Sequence, residues 1–344
     1  MFYLQGKMHF KKIISYQAIW FFLIIPHSAC TQNMEAGHGL WTIDINHDDK
    51  YIALGGDDSL LRIFTNDLQL YKTIKTETKG MIRAVHWHPR KNLLAISSRN
   101  NIWIWDPETG KEIQLEGDHN GSRAVAWNYN GELLAAAAGS GKIWIWNKHG
   151  KLLRTIQKTD SNGVPDKKDF LGMDWHPSKN ILTTVGDEIR IFDTAGKQLN
   201  VFRHRAQRAG LLTVKWHPSG DFFVTGDYGH PKEGIPVLLQ FWKPDGKLIK
   251  QWSGSKYEFR NIRWNKPGTR LATASDELRI WTENGKLLYT GKQDIDTVLW
   301  GVDWISDSQK IVTVTFAGGI IQLWNNKAEL LKTIKYVFTY SVPR

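Results

Sequence analysis

The groups in this 344-residue chain whose types and spacing invite chemistry are three histidines, three aspartates and one cysteine. His88, His176 and His217 each sit in a Trp-His-Pro triplet. A shared metal ion would need them to converge on one point through bonds of about 2 Å. They lie instead at one turn in three different copies of a repeated unit, which makes them structural turn residues. Asp44, Asp174 and Asp303 likewise share one repeat position. A paired-carboxylate hydrolase needs two acids roughly 5 to 9.5 Å apart. Asp44 and Asp303 become neighbours only if the array closes into a ring, and no other residue marks them as reactive. Cys30 is the only cysteine, so a disulfide within one chain is excluded. There is no Gly-rich phosphate loop, no CxxC and no HExxH. The expectation is a non-enzymatic protein with no catalytic residue, no metal and no cofactor.

The elements that carry these residues are copies of one unit, clearest in 123–147 (RAVAWNYNGELLAAAAGSGKIWIWN). A short apolar run ends at Trp127, a polar turn follows, then a small-residue strand, a Gly-Ser-Gly turn and the alternating strand around Ile143 to Trp146. Period-two alternation with turn residues at short intervals specifies antiparallel strands. The aromatic or apolar residue ending the first strand recurs as Ile45, Trp87, Trp127, Trp175, Trp216, Trp264 and Trp304, in steps of 40 to 48 residues. A second series marks the third strand at Phe64, Trp105, Trp146, Phe192, Trp242, Trp281 and Trp324. Both series count seven. Gly-Lys turns after the third strand (Gly110, Gly150, Gly196, Gly246, Gly285) suit a hairpin position with positive φ. Most of the 17 tryptophans belong to the two series and read as core; Trp41, Trp252 and Trp300 fall outside them and are free for other work.

The unit resembles the WD40 repeat, whose signature is four strands per blade with GH and WD motifs. The residues that carry the likeness are Gly37-His38, Trp105-Asp106 and the weaker Trp146-Asn147, Phe192-Asp193 and Trp324-Asn325. An acid before the third strand appears as Asp58, Asp187 and Asp276 and is absent from the third and seventh repeats. The resemblance implies an all-β, seven-bladed β-propeller with four antiparallel strands per blade. We expect every blade to use its own four strands, because the last repeat supplies its own outer strand near 330–336 and TQNMEA is poor in β-formers.

In order along the chain, 1–29 reads as a signal peptide. Lys7, Lys11 and Lys12 precede an apolar run over 13–25, too short for a membrane span of about 20 residues. The run ends in Pro-His-Ser-Ala-Cys, which resembles the lipobox of bacterial lipoproteins, though His27 stands where an aliphatic residue is usual, and points to lipid attachment at Cys30; the alternative is plain cleavage and a periplasmic or secreted protein. A polar tether follows over 30–37, then the propeller over 38–336 and a tail over 337–344. Blades begin near 40, 81, 122 and 170, the fifth follows the fourth's end near 204, and the last two begin near 258 and 298, with irregular insertions at 159–169 and 228–236. The net charge of +11 includes the three leader lysines, so the mature chain carries +8. These charges are scattered through turns, which suits a solvated surface and, with an export signal, argues against nucleic acid.

Binding is expected at the start of the first strands, the face the resemblance assigns to partners. Four residues before each series residue stand Trp41, Arg83, Arg123, Leu171, Leu212, Arg260 and Trp300. Trp and Arg are the types most enriched in binding hot spots. The two insertions should rise on the same side. The resulting expectation is a scaffold of the bacterial cell envelope, monomeric by itself, anchored through an N-terminal lipid and binding an acidic protein or peptide. The alternative is an extracytoplasmic propeller enzyme or small-ligand sensor with its site at the channel mouth.

Overall fold

The computed structural model describes residues 39–335, apart from 77–79, 118, 120, 161, 207–208, 294–296 and 306–307. The expected signal peptide, Cys30, the tether and the tail over 337–344 lie outside the described residues, as do 38 and 336 at the ends of the expected propeller.

Among the described residues, twenty-eight strands form seven four-stranded sheets, and in every sheet the strands pair in chain order. The blades span 40–75, 82–114, 124–157, 172–202, 211–255, 261–291 and 299–335. All neighbouring strands are antiparallel; in the last blade, Leu330–Lys335 pairs with Ile320–Asn325 of the same repeat. Each blade is therefore built from its own four strands, as expected. The one described helical turn, Pro231–Glu233, lies in the second insertion.

Strand alternation does double duty here. On Leu133–Ala137, Leu134 and Ala136 pack toward blade 2, while Ala135 and Ala137 pack toward blade 4. Every sheet is thus buried on both faces. The described core divides into seven apolar clusters, one at each blade interface, including that between blades 7 and 1. On the face toward blade 4, small alanines of blade 3 leave room for Phe170, Trp175 and Phe192. The aromatic series fill these interfaces: Trp146 and Trp281 are fully buried and Trp324 nearly so. In six of seven blades the register shifts immediately before the second-series aromatic, at Phe64, Trp146, Phe192, Trp242, Trp281 and Trp324. Such a bulge adds twist and turns the aromatic.

Trp252 is a correction. It packs edge-on to Trp281 with ring centroids 4.8 Å apart, under the Arg279 guanidinium at 5.4 Å, and so belongs to the interface of blades 5 and 6. Outer strands tolerate an aromatic here because the long strand Leu248–Ser255 folds its ring inward over the third strand.

The three Trp-His-Pro histidines do the turn work expected of them, and they also join blades. His88 Nδ1 accepts the Arg90 N–H of its own turn, and Nε2 lies 3.1 Å from Gly131 O of the next blade. His176 reaches Gly220 O at 3.2 Å and His217 reaches Gly268 O at 2.9 Å in the same way. One nitrogen accepts and the other donates, which requires a neutral ring. Burial pushes His88 down to about 4, keeping it neutral. The glycine is needed for space as well as for its φ of 76°: a Cβ at Gly131 would lie 2.0 Å from His88 Nε2. Gly110 has a φ of 73° but nothing within 4 Å of such a Cβ. The strain of a left-handed alanine is about 1–2 kcal/mol, and a broken buried hydrogen bond adds about 1–3 kcal/mol. Gly131→Ala should therefore lower stability by roughly 3 kcal/mol and Gly110→Ala by roughly 1 kcal/mol, read from denaturant midpoints at constant slope.

Candidate functional site

The seven side chains singled out by position converge on one cavity of about 210 Å³ at the channel mouth: Trp41, Arg83, Arg123, Leu171, Leu212, Arg260 and Trp300. Two local devices aim them. In the first strands of blades 1, 2, 5 and 7 the register shifts across Trp41, Arg83, Leu212 and Trp300, leaving each as the extra residue of a bulge. A bulged residue escapes the alternation that would drive it into a blade interface. Arg123, Leu171 and Arg260 stand just ahead of Ala124–Trp127, Gly172–Trp175 and Asn261–Trp264. The bulges themselves were not legible in the residue types.

The mouth has two unlike halves. On blades 7 and 1, Trp300 stacks on Phe316 at 4.0 Å and meets Trp41 edge-on at 4.5 Å. Trp41 Nε1 donates to Asp57. Arg260 lies over Trp300 at 4.5 Å and pairs with Glu258 at 2.9 Å. Trp300 is only 9 % exposed, because aromatic contacts across the ring's junction consume most of its area. On blades 2 and 3 stand the cations. Arg123 faces Asp169 at 3.7 Å with half its side chain in solvent. Arg83 is half-buried and makes no hydrogen bond or ion pair among the described residues. Burial pulls its guanidinium below the usual value, and the charges of Arg123 and Arg99 pull it further.

Below the mouth the channel carries a charged belt. The residue before each first-series position is Asp44, His86, Ala126, Asp174, Lys215, Arg263 and Asp303. Arg263 lies 3.2 Å from Asp44 and 3.5 Å from Asp303, spanning blades 6, 7 and 1, and Lys215 pairs with Asp174 at 2.8 Å. Three of these side chains also accept the backbone N–H of the next blade's aromatic: Asp44 from Trp87, His86 from Trp127 and Asp174 from Trp216. The acids are held by cations and backbone donors, a structural arrangement. Sequence reading found the three aspartates and missed Lys215, Arg263 and His86 in the same column. Complementary charge at one repeat position was the available signal. A second cavity of about 400 Å³ approaches the belt from the other side, sharing His86, Lys215 and Arg263 as wall.

Three carboxylates face two cations, and burial makes the surplus costly. Burial pushes His86 down to about 3. Asp303 is pushed up to about 6, by burial and then by Asp44, against the attraction of Arg263. A carboxyl raised in the folded state favours folding fully below its unfolded value near 3.8 and loses that contribution as pH rises through about 6. Asp303→Asn should remove this slope. Its stability relative to the parent should rise between pH 4 and pH 7, with a gain of about 1–2 kcal/mol at neutral pH, read from paired unfolding curves across pH.

Residues 28–65, 68–106 and 110–147 match the model of the WD domain, G-beta repeat. Each matched segment ends with the third strand of a blade, so one repeat straddles two blades. Over 122 residues the chain is 30 % identical to the probable cytosolic iron-sulfur protein assembly protein 1 of Kluyveromyces lactis, covering 31 % of this chain and 36 % of that protein. It is 24 % identical over 310 residues to the SIR4-interacting protein SIF2 of Saccharomyces cerevisiae, covering 84 % of this chain and 51 % of that protein. It is 21 % identical over 268 residues to the serine-threonine kinase receptor-associated protein of Gallus gallus, covering 75 % and 71 %. The chain thus spans about a third to a half of the first two relatives. Its propeller is seven-bladed, and the three segments at its start match the model of the WD domain, G-beta repeat.

Proposed function

We propose that this chain is a non-catalytic interaction module whose channel mouth binds an acidic segment of a protein partner. The observation that carries the reading is Arg83. A bulge holds this guanidinium at the mouth, half-buried, beside two other cations and without an acid to pair with among the described residues. Such a group is stabilised by an anion from outside. The aromatic half opposite offers a rigid apolar wall, the composition found in binding hot spots. Two similar proteins are named for association with other proteins, one as SIR4-interacting and one as receptor-associated. The enzyme or sensor alternative would look for a free acid or histidine at the mouth, whereas the belt's acids are engaged with Arg263 and Lys215.

We further infer that the protein is exported and held at a bacterial envelope membrane by lipid on Cys30. The support is the basic head, the short apolar run and the small residues before the sole cysteine. Cys30→Ser should leave a larger precursor on mass measurement. Processing to the parent's protein mass without lipid would sink the anchor.

For the mouth, an acidic peptide should bind with an affinity that falls as salt rises. Arg83→Ala or Arg123→Ala should weaken it by about 30-fold, the loss of a hot-spot contact worth roughly 2 kcal/mol. Lys111→Ala, in a turn on the opposite face, should leave it unchanged. Equal affinity of the Arg83→Ala protein and the parent in fluorescence anisotropy would remove the mouth as the site.

A further inference from the structure

The turn that joins the second strand of each blade to its third lies on the mouth side, because the end of the second strand pairs with the start of the first. These turns differ in charge. In blades 1, 4 and 6 they carry acids, and an arginine on the third strand of the same blade takes them up. Arg62 pairs with Asp58, Arg190 with Glu188 at 2.7 Å, and Arg279 with Asp276 at 2.7 Å and Glu277 at 3.0 Å. Blades 3 and 7 turn through Gly139-Ser140-Gly141 and Ala317-Gly318-Gly319, which carry no charge, and the blade 5 insertion holds one of each sign, Lys232 and Glu233. Blade 2 departs from all of these. Its third strand has Trp103 in place of the arginine, and its turn carries Arg99 with no acid beside it.

Arg99 is exposed, and its side chain makes no hydrogen bond or ion pair among the described residues. Its backbone, by contrast, is fixed. Ser98 Oγ accepts the N–H of Asn101 at 3.0 Å and that of Asn100 at 3.3 Å, and the Arg99 N–H donates to Met81 O at 3.0 Å. Ile82 pairs with Ser98, so Arg99 stands one strand outward from Arg83 and two residues nearer the surface. With strands about 4.8 Å apart and a rise of about 3.3 Å per residue, the two backbones are roughly 8 Å apart. On the other side, a Cβ at Gly121 would lie 2.4 Å from Arg99 O, and Arg123 follows two residues later. Arg99 is thus wedged between the segments that carry the two mouth arginines, and its charge acts on Arg83 together with that of Arg123. Arg123 has Asp169 at 3.7 Å on its blade 4 side. The unbalanced positive charge therefore lies over blade 2.

We propose that Arg99 is a second anion-binding position of the same site, so that the partner's acidic segment leaves the mouth over blade 2 with two carboxylates on alternate residues. This rests on the mouth reading for the first carboxylate. Alternate side chains of an extended segment share one face and lie about 7 Å apart, close to the separation of the two arginine backbones. An exit over blade 1, 4 or 6 offers the segment only arginines already paired with acids of their own turn.

The test uses the whole propeller and synthetic peptides read by fluorescence anisotropy. Each peptide carries one Glu for the mouth and, at successive positions on either side, a second Glu or a Gln. At the alternate-residue spacing, Glu should bind about fivefold more tightly than Gln, the upper range for an exposed charge pair. Adjacent residues of an extended chain face opposite ways, so Glu-Glu should show little of that gain. Arg99→Ala should abolish the Glu-over-Gln preference, and Arg99→Glu should invert it. Neither change removes a packed contact, so thermal unfolding should match the parent. Arg83→Ala should weaken every peptide and keep the preference. Arg203→Ala, which removes an exposed cation of blade 4, should alter neither affinity nor preference. Failure of every acidic peptide to bind would overturn the mouth reading and with it the subsite. A gain equal at every spacing, or one that persists in the Arg99→Ala protein, would overturn the subsite alone.

Discussion

The ring depends on how each blade's innermost strand satisfies its open edge. That strand pairs on one side only, so its other edge turns backbone N–H groups toward the channel, where an unpaired group is costly. The answer in this chain is a side chain from the preceding blade. Asp44 takes the N–H of Trp87, His86 that of Trp127 and Asp174 that of Trp216. One blade's edge thus becomes the next blade's attachment point. Anions are strong acceptors for such N–H groups, and gathering them in a narrow channel creates the need for Lys215 and Arg263. The charged belt is the consequence of edge satisfaction, with the proton affinity of Asp303 as its residue.

Among the described residues, no strand is lent across the junction of blades 7 and 1. It is closed by apolar packing of Leu40, Ile43 and Ile52 against Ile305, Val312 and Val314. Arg263 reaches Asp44 and Asp303 together from within the channel, and Trp41, Trp300 and Phe316 lock the upper rim. The same aromatic cluster that seals the ring forms one wall of the mouth. That overlap places a packed aromatic wall on one side of the cavity and the half-exposed Arg123 on the other.

Much of this was legible from residues. Two aromatic series counting seven specified blade number, because a propeller interface needs a large side chain at the same place each time. Counting back four residues named all seven mouth side chains, because a repeat position points the same way in every blade. What escaped notice depended on pairing between strands or blades. The bulges at Trp41, Arg83, Leu212 and Trp300 are register shifts, and no residue type announces them. Lys215 and Arg263 were overlooked because similarity, not complementarity, was sought down the column. Trp252 looked free because it lies on an outer strand, yet its ring folds onto Trp281.

The in-order pairing of four strands within each blade bears on how the molecule is made. Contacts inside a sheet join residues close in sequence, so a blade can complete itself soon after its last strand leaves the ribosome, and each new blade docks on a finished one. Domains synthesised at roughly 5–20 residues per second have time for such local steps. Only the junction behaves otherwise: Asp44 waits 219 residues for Arg263, and Asp67 waits 265 for Lys332. Until then the nascent chain is an open arc with two unmatched apolar faces, blade 1's first strands at one end and the newest blade at the other. The long-lived exposed surface during synthesis is therefore the face of Leu40, Ile43 and Ile52, and this is the surface a chaperone would have to cover.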